Sequence, residues 1–226
     1  KGISEMDDFS RGADTMYCPI DGWEAAEPLS RSSWQQIWSA RKVGSTEVTG
    51  MLRVVTIPAY AGEAEALRDG GFSEERIKKH IADCAERCLR DGEALMASGS
   101  RRMPEIKAVK LRRSGDGDYR LWILSTYYPT FTKYYEGKRI SRGTLLSLFC
   151  DLCDAVGDYA SVGMVHGAVQ LENVYVDRVG SCLLGNPLFK PTLYSRILDP
   201  DDTRLLRFIA PEIARGEDYD TRSDIC

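Results

Sequence analysis

Apolar and polar residues alternate between Glu27 and Pro58, first in WQQIWSARKVGS and then in TGMLRVVTIP, with Gly44-Ser45 between the two runs. A period of two marks strands with one buried face, and the turn residues make the pair antiparallel. The period then lengthens. Ile77, Ile81, Cys84, Cys88, Leu89 and Leu95 recur at helical steps, which predicts one long helix over about 73–97 with Ser73 as its N-cap. Alternation returns in IKAVKLRR and YRLWILSTYY, joined by Ser114-Gly115-Asp116-Gly117, a hairpin signal whose charged flanks form a solvated tip.

Past residue 127 the pattern changes character. Ser141 opens a Leu- and Phe-rich helix running to about Val162, followed by two short strand-like segments, MVHGAVQLENVYVD and SCLLGNPLF, around a loop. A polar loop then runs to Thr203, and FIAPEIARG follows. No internal repeat is visible. The elements predict an α+β chain: a loose leader over 1–20, a β-rich part with one long helix over 21–126, a connection over 127–131, and a mainly helical part over 132–226.

Composition narrows the function classes. The chain has 226 residues, and 30 Lys+Arg against 34 Asp+Glu leaves a net charge of −4. A dedicated nucleic-acid binder normally carries a basic excess, so no nucleic-acid partner is expected. With 43% hydrophobic and 28% charged residues, the chain can form a packed core. No apolar run is long enough for a membrane-spanning helix. The opening KGISEMDDFSRG has no apolar signal core and no initiator Met, and reads as a trimmed start. Seven cysteines, an odd number in a chain too large to need disulfide staples, favour a reducing, cytoplasmic compartment.

Cysteine spacing raises the question of a metal site. Cys150 and Cys153 form a C-x-x-C, and Cys84 and Cys88 stand four apart, but both pairs fall inside helical patterns. With only His80 and His166 available and no second C-x-x-C, a zinc site lacks ligands. Both pairs are expected to pack in the core. No metal and no cofactor are expected.

The order of elements and four short motifs resemble a protein kinase domain. VHGAVQLENVYV resembles the catalytic loop H-R-D-x-x-x-x-N, LLGNPLF the strand leading into the D-F-G turn, and APEIARGEDYDTRSDI the A-P-E segment and the start of the large lower helix. Spacing agrees: Asn173 lies seven residues after His166, Asn186 thirteen further on, and Ala210-Pro211-Glu212 follows a loop of activation-segment length. The resemblance covers roughly residues 27–226, with the flavour of bacterial eukaryotic-type Ser/Thr kinases. It implies a two-lobe fold, with an N-lobe over 21–126, a hinge over 127–131 and an incomplete C-lobe over 132–226. The chain stops where the family's central lower helix begins, which implies either a fragment or a partner covering the lower face.

The departures from the family pattern matter more. Ser30, Ser32 and Gln35 stand at the glycine-loop positions, and the bulky Trp34 points to a plain hairpin. Arg53 replaces the strand Lys; its implied helix partner is Asp91, with Glu93 as competitor, and Leu95 favours Asp91. Gly167 and Ala168 replace the Arg and catalytic Asp after His166, so the base worth ~10²–10⁴-fold is missing. His166 itself is expected in the core. Asn173 is kept, but Asn186, Pro187 and Leu188 replace D-F-G, and a neutral carboxamide is a poor Mg²⁺ ligand.

Phosphoryl transfer depends on positioning and electrostatics, so the joint loss implies a pseudokinase. The implied function is binding, scaffolding or allosteric signalling with a protein partner. The alternatives are a degenerate kinase-like enzyme and a nucleotide sensor. Arg53, Asp91, Asn173 and Asn186 are the vestigial cleft positions, with no bound cofactor expected. The cleft between Ile37, Arg53 and Tyr127-Tyr128 is expected to be partly filled by side chains, with Trp34, Gln35 and Trp38 in its roof.

Overall fold

The structure, a computed structural model, describes residues 16–32, 34–59, 62–114, 117–189, 210–214 and 220–224. Five strands form one antiparallel sheet: β1 (Trp23–Arg31), β2 (Gln35–Lys42), β3 (Val48–Ile57), β4 (Ile106–Arg113) and β5 (Tyr119–Thr126). Their spatial order is β1-β2-β3-β5-β4. The alternation read from the sequence splits this sheet into two apolar faces. Trp38, Ala40, Leu52, Val54, Trp122 and Leu124 lie on one face, and Val55, Leu121 and Ile123 on the other.

The first of these faces is covered by the segment 16–20. Ile20 is buried there, Met16 and Cys18 pack against it, and Lys110 Nζ donates to the Pro19 carbonyl at 2.8 Å. The expectation of a loose leader over 1–20 therefore needs correction at 16–20, because an apolar sheet face draws this segment in. Residues 1–15 lie outside the described residues.

The other face receives the long helix. Between β3 and β4 come α1 (Glu63–Asp69), too short to show a period in the sequence, and α2 (Glu74–Ser98). Ser73 caps α2 by accepting from the Arg76 N–H, and Gly99 ends it in the left-handed region at φ 60°. The buried stripe is Ile77, Ile81, Cys84, Ala85, Cys88, Gly92 and Leu95. Gly92 has a local reason. A Cβ there would stand 3.0 Å from Val109 Cγ1, so glycine lets α2 lie close on β4 despite its cost of about 1 kcal/mol in a helix.

The second part of the chain carries α3 (Phe131–Tyr134), α4 (Arg142–Ser161), a 3₁₀ turn at Leu171–Asn173, the strand pair β6 (Val174–Val176) and β7 (Cys182–Leu184), α5 (Pro211–Ala214) and a 3₁₀ turn at Thr221–Asp224. The loop expected before Ala210 lies outside the described residues. Ser141 caps α4 by accepting from the Thr144 N–H at 3.0 Å. The helix buries Leu148, Asp151, Ala155 and Tyr159. Cys84 and Cys88 are buried as read, but Cys150 and Cys153 are exposed. Apolar residues occupy both sides of α4, and the side taken inward runs through Leu148 and Ala155 instead.

Asp151 links the two parts of the molecule. Its carboxylate accepts from the Cys182 N–H at 2.8 Å and lies 2.7 Å from Arg102 Nη1. Arg102 follows α2, and its carbonyl accepts from the Leu184 N–H at 2.9 Å. One acid therefore holds the loop after α2, helix α4 and strand β7 together. Among the described residues, no helix is long and apolar enough to cross a membrane.

Asp151→Ala should strand a buried N–H and a half-buried guanidinium, lowering the unfolding free energy by ~1–3 kcal/mol in urea titrations. Asp154→Ala removes only an exposed contact to Arg102, at 3.2 Å, and should change stability by less than ~1 kcal/mol.

Candidate functional site

Arg53 and Asn186 lie close together where the sheet faces the second part of the chain. Arg53 sits mid-strand in β3, between Ile37 of β2 and Ile123 of β5, and is only 3% exposed. Its Nε donates to Gln35 Oε1 at 2.9 Å, and its Nη1 donates to the Pro187 carbonyl at 2.8 Å. The guanidinium carbon lies 5.8 Å from the Trp34 ring centroid and 5.2 Å from that of Phe189. Both rings offer their π systems to the cation, a favourable arrangement once water is excluded.

Local sequence explains the arrangement of Trp34 and Gln35. Ser32 N–H donates to the Gln35 carbonyl at 2.8 Å, and Gln35 N–H donates to Ser32 Oγ at 3.2 Å, closing a tight turn between β1 and β2. The Trp34 carbonyl accepts from Thr56 N–H at 2.8 Å, which turns the indole into the core beside Arg53. Trp38 does not join it. Trp34 lies in the turn before β2, outside its alternation, whereas Trp38, one step past Ile37, falls on the opposite sheet face with Ile20 and Leu52, and this corrects its expected place in the cleft roof.

The expected pairing of Arg53 with α2 is not formed. Asp91 is half-buried, burial raises its carboxyl above the usual range, and its cationic neighbours are Arg90 and Arg87. Glu93 points into solvent. The stripe that α2 buries passes through Cys88 and Gly92, so Asp91 falls just off the inward line. Cys88 instead feels the Arg53 charge, while burial pushes its thiol up to about 12. Arg53 joins the sheet to the turn after β7 rather than to the helix.

Two residues missed in the sequence complete the interior. Met51, two positions before Arg53, and Tyr175, two positions after Asn173, are 3% and 4% exposed. With Ile37 and Leu183 they form one buried cluster, and Tyr127 and Tyr128 pack against it. The available signal was bulk at positions that strand alternation turns toward the cleft. In front of this cluster lies an open groove of about 600 Å³. Its walls combine polar residues, among them Ser30, Arg31, Lys133 and Glu172, with Leu29, Ile37, Met51, Tyr127, Tyr128 and Tyr175.

The segment 166–168 is held by a dense set of hydrogen bonds. His166 is fully buried, its Nε2 lies 2.8 Å from the Gly185 carbonyl, and Ala168 N–H donates to its Nδ1 at 3.2 Å. Those partners fix a neutral ring protonated at Nε2, and burial holds its pKa down at about 3. His166 N–H and Gly167 N–H both donate to the Asp224 carboxylate at 2.6 Å. Ala168 is buried and contributes only a methyl group.

Asn173 and Asn186 both use their amide N–H groups inside the protein. Asn173 Nδ2 donates to the Ala168 carbonyl at 2.9 Å, and Asn186 Nδ2 donates to the Tyr175 hydroxyl at 2.5 Å. Asn186 adopts φ 56°, a left-handed conformation that asparagine tolerates better than most residues. Mg²⁺ needs hard, charged oxygens, and among the described residues no group of three His, Cys, Asp or Glu could hold a metal ion. The donor set does not fit Mg²⁺.

A testable pH dependence follows from His166. Its folded pKa of about 3 lies below the ordinary 6.5, so the unfolded chain binds a proton first as pH falls. This group's contribution is complete above pH 6.5 and is lost on descending toward 3, at up to about 1.4 kcal/mol per pH unit. Unfolding titrations between pH 4 and pH 7 should show a shallower slope for His166→Gln than for the natural chain.

Comparison with protein-family models and with curated protein sequences finds no match, so the functional reading rests on the chain's own residues.

Proposed function

We propose that this chain is a protein-kinase-like domain that works by binding rather than by phosphoryl transfer, in short a pseudokinase. The two-lobe arrangement, with an N-lobe over 21–126 and a C-lobe from 132, is part of that proposal. The observation that carries it is that the side chains at the kinase-like positions are engaged by partners inside the protein. Arg53 is committed to Gln35, Pro187 and two aromatic faces, and Met51 and Tyr175 stand beside it. Ala168 supplies no base, and the two carboxamides donate into the protein. His166 and Asp224 still organise the loop backbone, which supports a fold kept without its chemistry.

The function proposed is scaffolding or allosteric regulation through a protein partner. Leu146 and Phe149 on α4, each 67% exposed, add apolar surface of the kind partners cover. The open groove of about 600 Å³, walled by polar and aromatic side chains, favours a second reading, a sensor of a small ligand.

Two assays test the proposal. Transfer of labelled phosphate from ATP should stay at background with Mg²⁺ or Mn²⁺; robust transfer abolished by Asn173→Ala would contradict it. Melting with ATP, with and without metal, should show no shift, whereas a ligand at one hundred times its Kd stabilises by about 2.7 kcal/mol.

A further inference from the structure

We infer that the outward face of α4 docks on the same face of a second copy of this chain, the two helices lying antiparallel. The inference rests on the reading of this chain as a binding module and deepens it by naming the partner.

The helical step defines the face. Leu146, Phe149, Cys150, Cys153 and Gly157 are linked by steps of three and four, so they share one side of α4, and all five are exposed. Leu145 beside them is half exposed. The opposite side is the buried one, carrying Leu148, Asp151, Ala155 and Tyr159. A surface helix ordinarily turns its charges to solvent. Here the run 143–153 holds a single charged residue, Asp151, and that one is buried against Cys182 and Arg102. Roughly three helical turns thus offer mostly carbon and sulfur to water, a continuous patch of the kind that marks an interaction surface.

The charges at the two ends select the partner. Arg139 and Arg142 stand exposed at the N-terminal end, while exposed Asp154 and half-buried Asp158 stand at the C-terminal end. Each pair sits where the helix dipole disfavours it, since acids suit an N-terminus and bases a C-terminus. Asp154 and Asp158 contact Arg102 and the Ser100 hydroxyl, whereas Arg139 and Arg142 make no hydrogen bond or ion pair among the described residues. A second α4 running the other way brings its acidic end to this basic end, and two-fold symmetry repeats the match. A parallel copy would set like charges together. With the two-fold between Phe149 and Cys150, Leu146 of one copy comes level with Cys153 of the other, large against small. Arg142 then comes level with the turn at 157–158.

Sedimentation equilibrium across the micromolar range should show the natural chain passing from monomer to dimer. Phe149→Glu and Leu146→Glu, each at a position 67% exposed, should each raise the dimer dissociation constant about tenfold or more. Near-UV circular dichroism establishes that each variant is folded. Arg142→Glu and added salt should weaken the dimer by less. A short bismaleimide should cross-link the natural dimer through Cys150 or Cys153, and Cys150→Ser/Cys153→Ser should remove that product. Arg142→Cys placed in this serine background should not cross-link, because antiparallel copies hold those positions more than about 20 Å apart.

A natural chain that stays monomeric, or a dimer that both glutamate variants leave unchanged, would overturn the inference. Cross-linking through position 142 would overturn it as well, since it reports parallel helices. A monomer leaves the binding reading standing with a different partner. Phosphate transfer by a dimeric natural chain overturns the pseudokinase reading and leaves the dimer.

Discussion

A guanidinium buried in the middle of a sheet needs acceptors and aromatic faces near it, because desolvating a charge costs several kcal/mol. Arg53 imposes that demand, and its surroundings are arranged around it. Gln35 and the Pro187 carbonyl supply acceptors in different elements, and Trp34 and Phe189 supply aromatic faces. The hairpin turn at Ser32–Gln35 and the turn after β7 therefore have fixed positions relative to β3. A longer, planar cation makes this possible where an ammonium group would present a point charge and a different reach.

The cleft follows from that constraint. With the turn at 185–189 drawn up to Arg53, Asn186 is placed to donate to Tyr175, and Tyr175 lies in the cluster with Met51. Polar and aromatic residues together line the open groove. The backbone at 166–167 is held by a separate set of bonds, His166 to Gly185 and Asp224 to two N–H groups. Such supports serve burial and hydrogen bonding.

Much of this was legible in the sequence, and the reasons are local. The long helix, its Ser73 cap and the Ser141 cap depend on residues within a few positions of one another. The buried, neutral His166 followed from its place in a recognisable motif. What failed to show depended on register between distant elements. Asp91 sits where a motif would place an acid, but α2 packs with Cys88 and Gly92 inward. Cys150 and Cys153 lie on an apolar side of α4 that the described fold leaves exposed, and periodicity cannot choose between two apolar sides. Met51 and Tyr175 are unremarkable strand residues until β3 and β6 face each other.

The central claim is that Arg53 holds the sheet and the turn after β7 together. Hydrogen exchange on Arg53→Met, which keeps bulk and removes the charge, tests it most directly. The account predicts protection lost by about tenfold or more in peptides covering 183–189 and 34–37, the loss of roughly one charge-assisted contact, with 149–160 of α4 unchanged. Unchanged protection at 183–189 in the folded variant would contradict it.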